Sequence, residues 1–194
     1  MIDLAAARAT LESLVGFDTT SRHSNLALIE WVEAYLDRHG VAHRRAPNAD
    51  GTKSNLLATV GPSVEGGAVL SGHTDVVPVD GQAWTSDPFS IVERDGRLYG
   101  RGTCDMKGFL ALALAAVPDL IAANPRRPVH LAFSFDEEVG CLGAPGLIDL
   151  IKQELPKPAF VVVGEPTDMV AVNGHKGIAN FEVTVTGRQA HSGQ

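Results

Sequence analysis

Short apolar runs of strand length alternate with helix-length amphipathic stretches along most of this sequence, and that alternation limits the fold more than any other feature. Strand character falls at residues 55–60, 68–71, 129–135 and 159–163. Helical periodicity falls within 4–17, across Leu26, Ile29, Val32 and Leu36, from about 108 to 123, and around 146–155. Ser24 is placed to cap the second helix and Gly40 to stop it. The stretch 108–123 is small and apolar nearly all round, which predicts a buried helix. Strands and helices in this order predict an α/β domain, a largely parallel sheet flanked by helices. "FSIVERDGRLYGRG" reads as a β-hairpin, with Asp95-Gly96 suited to a tight primed turn.

The 194 residues suffice for one domain with a real core and are short for two. A net charge of -7 with no basic patch argues against nucleic acid or an anionic membrane as the main partner. The longest apolar run, 109–117, is far below the roughly 20 residues needed to span a bilayer. The opening "MIDLAAARATLESL" has no basic n-region and does not read as a signal peptide. Two cysteines, Cys104 and Cys141, are too few for a disulfide framework and read as small core fillers. The expectation is a soluble, cytoplasmic protein.

The chemistry clusters where strands end. "FSFDEEVG" sets Asp136, Glu137 and Glu138 directly after a strand, and three consecutive carboxylates there need compensation by water or by a cation. His73 and Asp75 in "SGHTDVVP" follow the 68–71 strand, Glu165 in "VVVGEP" follows 159–163, and Asp105 in "GRGTCDMKG" precedes the small-residue helix. Open α/β sheets bind ligands outside the carboxyl ends of their strands. Any one of these residues has an ordinary reading: a solvated loop acid, a packed histidine, a helix cap. Their shared position favours a cation. One imidazole with several carboxylates suits zinc, cobalt or manganese, whereas calcium and magnesium avoid the imidazole. The surplus of carboxylates suggests two ions sharing a bridging ligand. His23, His39, His43 and His130 lack such company and read as surface or packing residues.

In order and spacing, "SGHTDVVPVDGQAWTSDPF", "LYGRGTCDMKG", "DEEVG", "VGEPTDM" and "GRQAHS" resemble one family. It is the zinc amidohydrolases and exopeptidases, which include acetylornithine deacetylase, succinyl-diaminopimelate desuccinylase, aminoacylase and glutamate-releasing carboxypeptidases. The resemblance covers essentially the whole chain, and "VGFDTTSRHSNLALIEWV" and "VDGQAWTSDPF" look most like acetylornithine deacetylase. It implies two divalent ions, zinc favoured and cobalt the alternative. His73 and Glu165 would bind the first ion, Asp105 would bridge both and Glu138 would bind the second. Glu137 would be the general base, and Asp75 would accept the second ring N–H of His73. His191 would reach the oxyanion of a partner subunit's site, which implies a homodimer. The implied reaction is amide hydrolysis of an N-acyl amino acid, N-acetyl-L-ornithine first. Desuccinylase, aminoacylase and dipeptidase activity are the alternatives within the family, and an inactive metal-binding fragment is the alternative outside it. The resemblance also implies a further histidine ligand beyond residue 194. It reads 1–176 as the catalytic domain without its closing elements and 177–194 as the start of a lid and dimerisation domain, opening with a strand at 180–186.

Overall fold

The computed structural model describes residues 3–174, 176–177, 179 and 181–188. In chain order the elements are α1 (Leu4–Val15), α2 (Leu26–Arg38), β1 (His43–Pro47), β2 (Ser54–Val60), β3 (Ala68–His73), β4 (Val92–Arg94), β5 (Arg97–Tyr99), α3 (Lys107–Ala115), α4 (Val117–Ala123), β6 (Val129–Ser134), α5 (Ala144–Glu154) and β7 (Phe160–Val163). Five strands form one sheet in the order β1-β2-β6-β3-β7. β3 runs parallel to both β6 and β7, while β2 pairs antiparallel with β1 and β6. Only β2 runs against the rest, so β3, β6 and β7 end at the same edge.

Alternate residues of the central strands feed two cores, because strand side chains point to opposite faces in turn. Leu56, Ala58 and Val60 of β2 and Leu131 and Phe133 of β6 pack with Leu14 of α1, Ile29 and Val32 of α2 and Leu110 and Leu114 of α3. The intervening Leu57 and Ala132 join Val69 and Leu147 of α5 on the opposite face. Each fully buried side chain of this size contributes about 1.5–3 kcal/mol. This two-sided burial is why β2 and β6 read as continuous apolar runs.

The local signals hold in most places. Gly40 takes a left-handed φ of 67° just past α2, whereas the N-cap of α2 is Asn25, without a side-chain cap bond, and Ser24 one residue earlier accepts the Leu26 N–H at 3.1 Å instead of capping the helix. The hairpin of β4 and β5 turns through Asp95 and Gly96, both with positive φ, as a primed turn requires.

Three expectations need correction, and one strand carried no signal. The helix expected over 108–123 is two helices, α3 and α4, meeting at Ala116. Pro118 is the cause, since it offers no N–H to the preceding turn and its ring crowds the carbonyl four residues back. Leu112 and Ile121 lie about 40% exposed, so this pair is not buried all round. Strand β1 was not foreseen, because an edge strand reading "HRRAP" is mostly exposed and carries no apolar alternation. Cys104 and Cys141 are exposed rather than core fillers, since both lie in loops beside the carboxylate cluster instead of on a core-facing element. The strand expected at 180–186 is absent among the described residues 181–188. Alternation supplies a face but not a partner, and no described segment pairs with this one; Phe181, Val183 and Val185 are each more than 80% exposed.

Candidate metal centre

His73 closes β3, and its ring is fully buried. Its backbone is fixed on one side by Gly72, where a Cβ would lie 2.7 Å from Leu110 Cδ2 and 2.8 Å from Met106 Cε. A Cβ there would have to displace the ends of both side chains, so glycine lets them pack directly against the strand. The His73 N–H in turn reaches Met106 Sδ at 3.2 Å, which ties the strand end to the residue after Asp105.

The His73 ring has two distinct faces. Nδ1 lies 2.8 Å from the backbone carbonyl of Asp75, and a carbonyl can only accept, so this nitrogen carries a hydrogen. The Asp75 carboxylate is farther away, at 3.5 Å, so the tautomer is set first by the main chain of Asp75 and only then by its side chain. Nε2 faces Asp105 Oδ1 at 3.0 Å, Glu165 Oε1 at 3.8 Å and Glu137 Oε2 at 3.9 Å. His73, Glu137 and Glu165 offer ligand atoms within 4.8 Å of one another, and so do His73, Asp105 and Glu138. All five side chains therefore share one small volume, with His73 common to both groups. Here Glu137 lies as close to His73 as Glu165 does.

Charge in this volume is unbalanced. Burial, then the neighbouring charge of Asp105, pushes the Glu138 carboxyl above its usual range. Glu165 is raised by burial too, with Asp105 and Glu137 adding to it against the opposing pull of His73. Burial works against protonating His73, but the Asp75 carboxylate outweighs it and the ring is raised to about 9. The carboxylates therefore demand positive charge at Nε2, which a proton or a cation can supply. Burial alone would raise Asp75, yet hydrogen bonds from His73, Ser21 and the Glu137 N–H hold it below the usual carboxylate range.

The three consecutive acids of the sequence separate in space. Asp136 turns away to the ammonium of Lys53, leaving Glu137 and Glu138 to face the cluster. Lys107 is a second buried amine that no sequence pattern flagged. Its Nζ donates to the Phe17 carbonyl at 2.7 Å, and burial lowers it to about 7 against the pull of Asp18 and Asp75. His191 lies outside the described residues.

Hard oxygen donors and one imidazole gathered where three parallel strands end define a metal-centred α/β domain of the hydrolase type. A model of the peptidase family M20/M25/M40 matches residues 69–191, and the chain belongs to that family. Membership implies a divalent metal ion, and the donors present fit one: the ligand atoms are mutually close, of suitable type, and carry uncompensated negative charge. The chain is 42% identical to the acetylornithine deacetylase of Myxococcus xanthus, over 97% of this chain and 49% of that protein. It is 37% identical to the acetylornithine deacetylase of Proteus mirabilis, over 93% and 46%. It thus spans about half the length of the curated relatives it matches. Human carnosine dipeptidase 1 superimposes with a TM-score of 0.71 at 25% identity, over 84% of this chain and 39% of that one. An M20 family metallo-carboxypeptidase from Sulfolobus solfataricus shares the fold, with a TM-score of 0.70 at 24% identity over 81% and 37%. Among the described residues no helix is long and apolar enough to cross a membrane.

Proposed function

We propose that this chain carries the catalytic face of a metal-dependent amidohydrolase that removes the acetyl group of N-acetyl-L-ornithine, a step of arginine biosynthesis. The observation behind this reading is the convergence of His73, Asp105, Glu137, Glu138 and Glu165 at one sheet edge, in a chain whose matched relatives carry the name acetylornithine deacetylase. His73, Asp105, Glu138 and Glu165 would hold two divalent ions, zinc favoured over cobalt. Such ions supply Lewis acidity and a water that ionises near neutral pH.

The chain's own groups do the rest. Glu137 is 39% exposed on its side chain, so its carboxylate can meet solvent and substrate while staying 3.9 Å from His73. It would take a proton from the attacking water and return it to the departing amine. His73, with Nδ1–H tied to the Asp75 carbonyl, keeps Nε2 aimed into the cluster. His191 would donate to the oxyanion of a partner subunit's substrate, which makes a homodimer part of this reading, with residues 177–194 opening its lid.

A second reading is dipeptide hydrolysis, favoured by the likeness to human carnosine dipeptidase 1. The deciding experiment compares, on the whole protein loaded with zinc, acetate release from N-acetyl-L-ornithine, succinate release from N-succinyl-diaminopimelate and cleavage of a simple dipeptide. The highest kcat/KM is expected for N-acetyl-L-ornithine. A higher value for either other substrate moves the assignment within the family, and no turnover of any of the three removes it.

A further inference from the structure

The turn that carries Glu137 and Glu138 is held from behind by a closed ring of hydrogen bonds. Asp136, the first residue of the turn, has a φ of 55°, a left-handed conformation that few residues other than glycine, asparagine and aspartate adopt. Its carboxylate accepts from Lys53 Nζ at 2.5 Å, and both side chains are nearly buried, 13% exposed for the lysine and 10% for the aspartate. The same ammonium also donates to the Ser21 carbonyl. The Ser21 hydroxyl donates to Asp75 Oδ2 at 2.7 Å. The Asp75 carboxylate then accepts the backbone N–H of Glu137 on Oδ1 at 3.1 Å and that of Glu138 on Oδ2 at 3.3 Å. Going round, Asp136 leads to Lys53, Lys53 to Ser21, Ser21 to Asp75, and Asp75 back to the two residues that follow Asp136.

This ring explains how two neighbouring glutamates can be kept facing the same way. Left to themselves, Glu137 and Glu138 would separate to reduce repulsion, because Glu137 lies beside Glu165 and Glu138 beside Asp105, as well as beside each other. Their main chain is denied that freedom at both ends. Asp136 is fixed by a lysine reaching over from the residue before β2, and the two N–H groups are clamped by one carboxylate. Lys53 and Asp136 form a charge-assisted pair shielded from water, where such a bond is strong and its loss leaves the remaining charge unpaired. Ser21 comes from a third segment, the loop between α1 and α2, whose Val76 contacts fix it further: its N–H donates to the Val76 carbonyl at 3.2 Å.

We propose that Lys53 and Ser21, which lie outside both groups of ligand atoms, are positioning residues that hold the Glu137–Glu138 turn in the geometry that takes up a divalent ion. The inference rests on the metal-dependent reading above and extends it to the residues behind the ligands. Partners behind ligating groups commonly set affinity by 10- to 100-fold. Lys53 would act through Asp136 and Ser21 through Asp75, so replacing either should loosen the same turn by a different route.

The test is a cobalt(II) titration of the whole, metal-stripped protein, read by visible absorption and by chelator competition, for wild type, Lys53→Met, Lys53→Arg and Ser21→Ala. Lys53→Met is expected to weaken cobalt binding by about 10- to 100-fold and to alter the absorption bands. Ser21→Ala should shift both in the same direction, and Lys53→Arg, which keeps the charge, should recover most of the affinity. A melting temperature that falls while affinity and bands stay at wild-type values overturns the proposal, because it leaves Lys53 and Ser21 as ordinary packing residues. If Lys53→Met does not fold, Ser21→Ala decides alone: wild-type affinity in that variant overturns the proposal, and weakened affinity sustains it. A wild-type protein that binds no cobalt overturns the metal-dependent reading itself, and this inference with it.

Discussion

Glu137 and Asp75 show how a few ångströms assign different tasks to residues of one chemical type. Both are carboxylates beside His73, yet Asp75 is buried and spends its oxygens on Ser21 and two backbone N–H groups, whereas the Glu137 carboxylate faces solvent. Asp75 is therefore committed to holding structure, and the part-exposed Glu137 carboxylate is the one placed for the base role proposed above. The His73 tautomer follows from the same distances: the main-chain carbonyl of Asp75 is nearer to Nδ1 than its carboxylate is. Glu137→Gln keeps the size and hydrogen-bonding reach but removes the base. Bound metal measured after dialysis should stay near wild type, and turnover should fall by about 10²–10⁴-fold, the usual contribution of general-base catalysis. Near-normal turnover would remove Glu137 from that role.

Among the elements, β3 and α3 are the pair on which the site depends. They touch through Gly72, with Met106 and Leu110 filling the space where a side chain would stand. His73 ends β3 and Asp105 lies two residues ahead of α3, so their separation depends on how closely strand and helix approach. Gly72→Ala should cost about 1–3 kcal/mol in urea denaturation, the usual range for an overpacked core position. A variant as stable as wild type would show that the Met106 and Leu110 side chains move aside at little cost. The antiparallel edge gives a contrast. β1 is positioned by its ladder with β2 and by the Arg45 pair with Glu33 of α2, away from His73 and the carboxylates around it.

On the scale of the whole molecule, the two faces of the sheet are covered unevenly. Four helices, α1 to α4, supply the larger core on one side, while α5 covers β2, β6 and part of β3 on the other. β7 is left with Phe160, Val161, Val162 and Val163 all at least 40% exposed, and Val170, Val172, Phe181, Val183 and Val185 add to the exposed apolar surface. An edge strand with apolar side chains and free backbone groups is a template for pairing with another chain. The 194-residue chain alone should therefore elute earlier in size-exclusion chromatography as its concentration rises. A single monomer peak at every concentration would show that this surface is tolerated in water.

The sequence alone determined the local terms. Period and the Gly40 stop placed α2, Asp95-Gly96 placed the hairpin, and strand ends followed by His73, Glu137, Glu138 and Glu165, with Asp105 ahead of a helix, marked one edge as chemical, because these signals act over a few residues. It also carried the family resemblance, since the blocks around those residues are contiguous. What depended on distant segments was not legible. β1 exists because β2 offers it a ladder, and residues 181–186 have the same alternation as a strand but no described partner. Tertiary structure alone decided that Asp136 leaves its two neighbours for Lys53, 83 residues away in sequence, and that Ser21 backs Asp75 across 54. Hydrogen bonds of a few ångströms between residues so far apart in the chain leave no periodic trace, because any polar residue placed there by the fold could have made them.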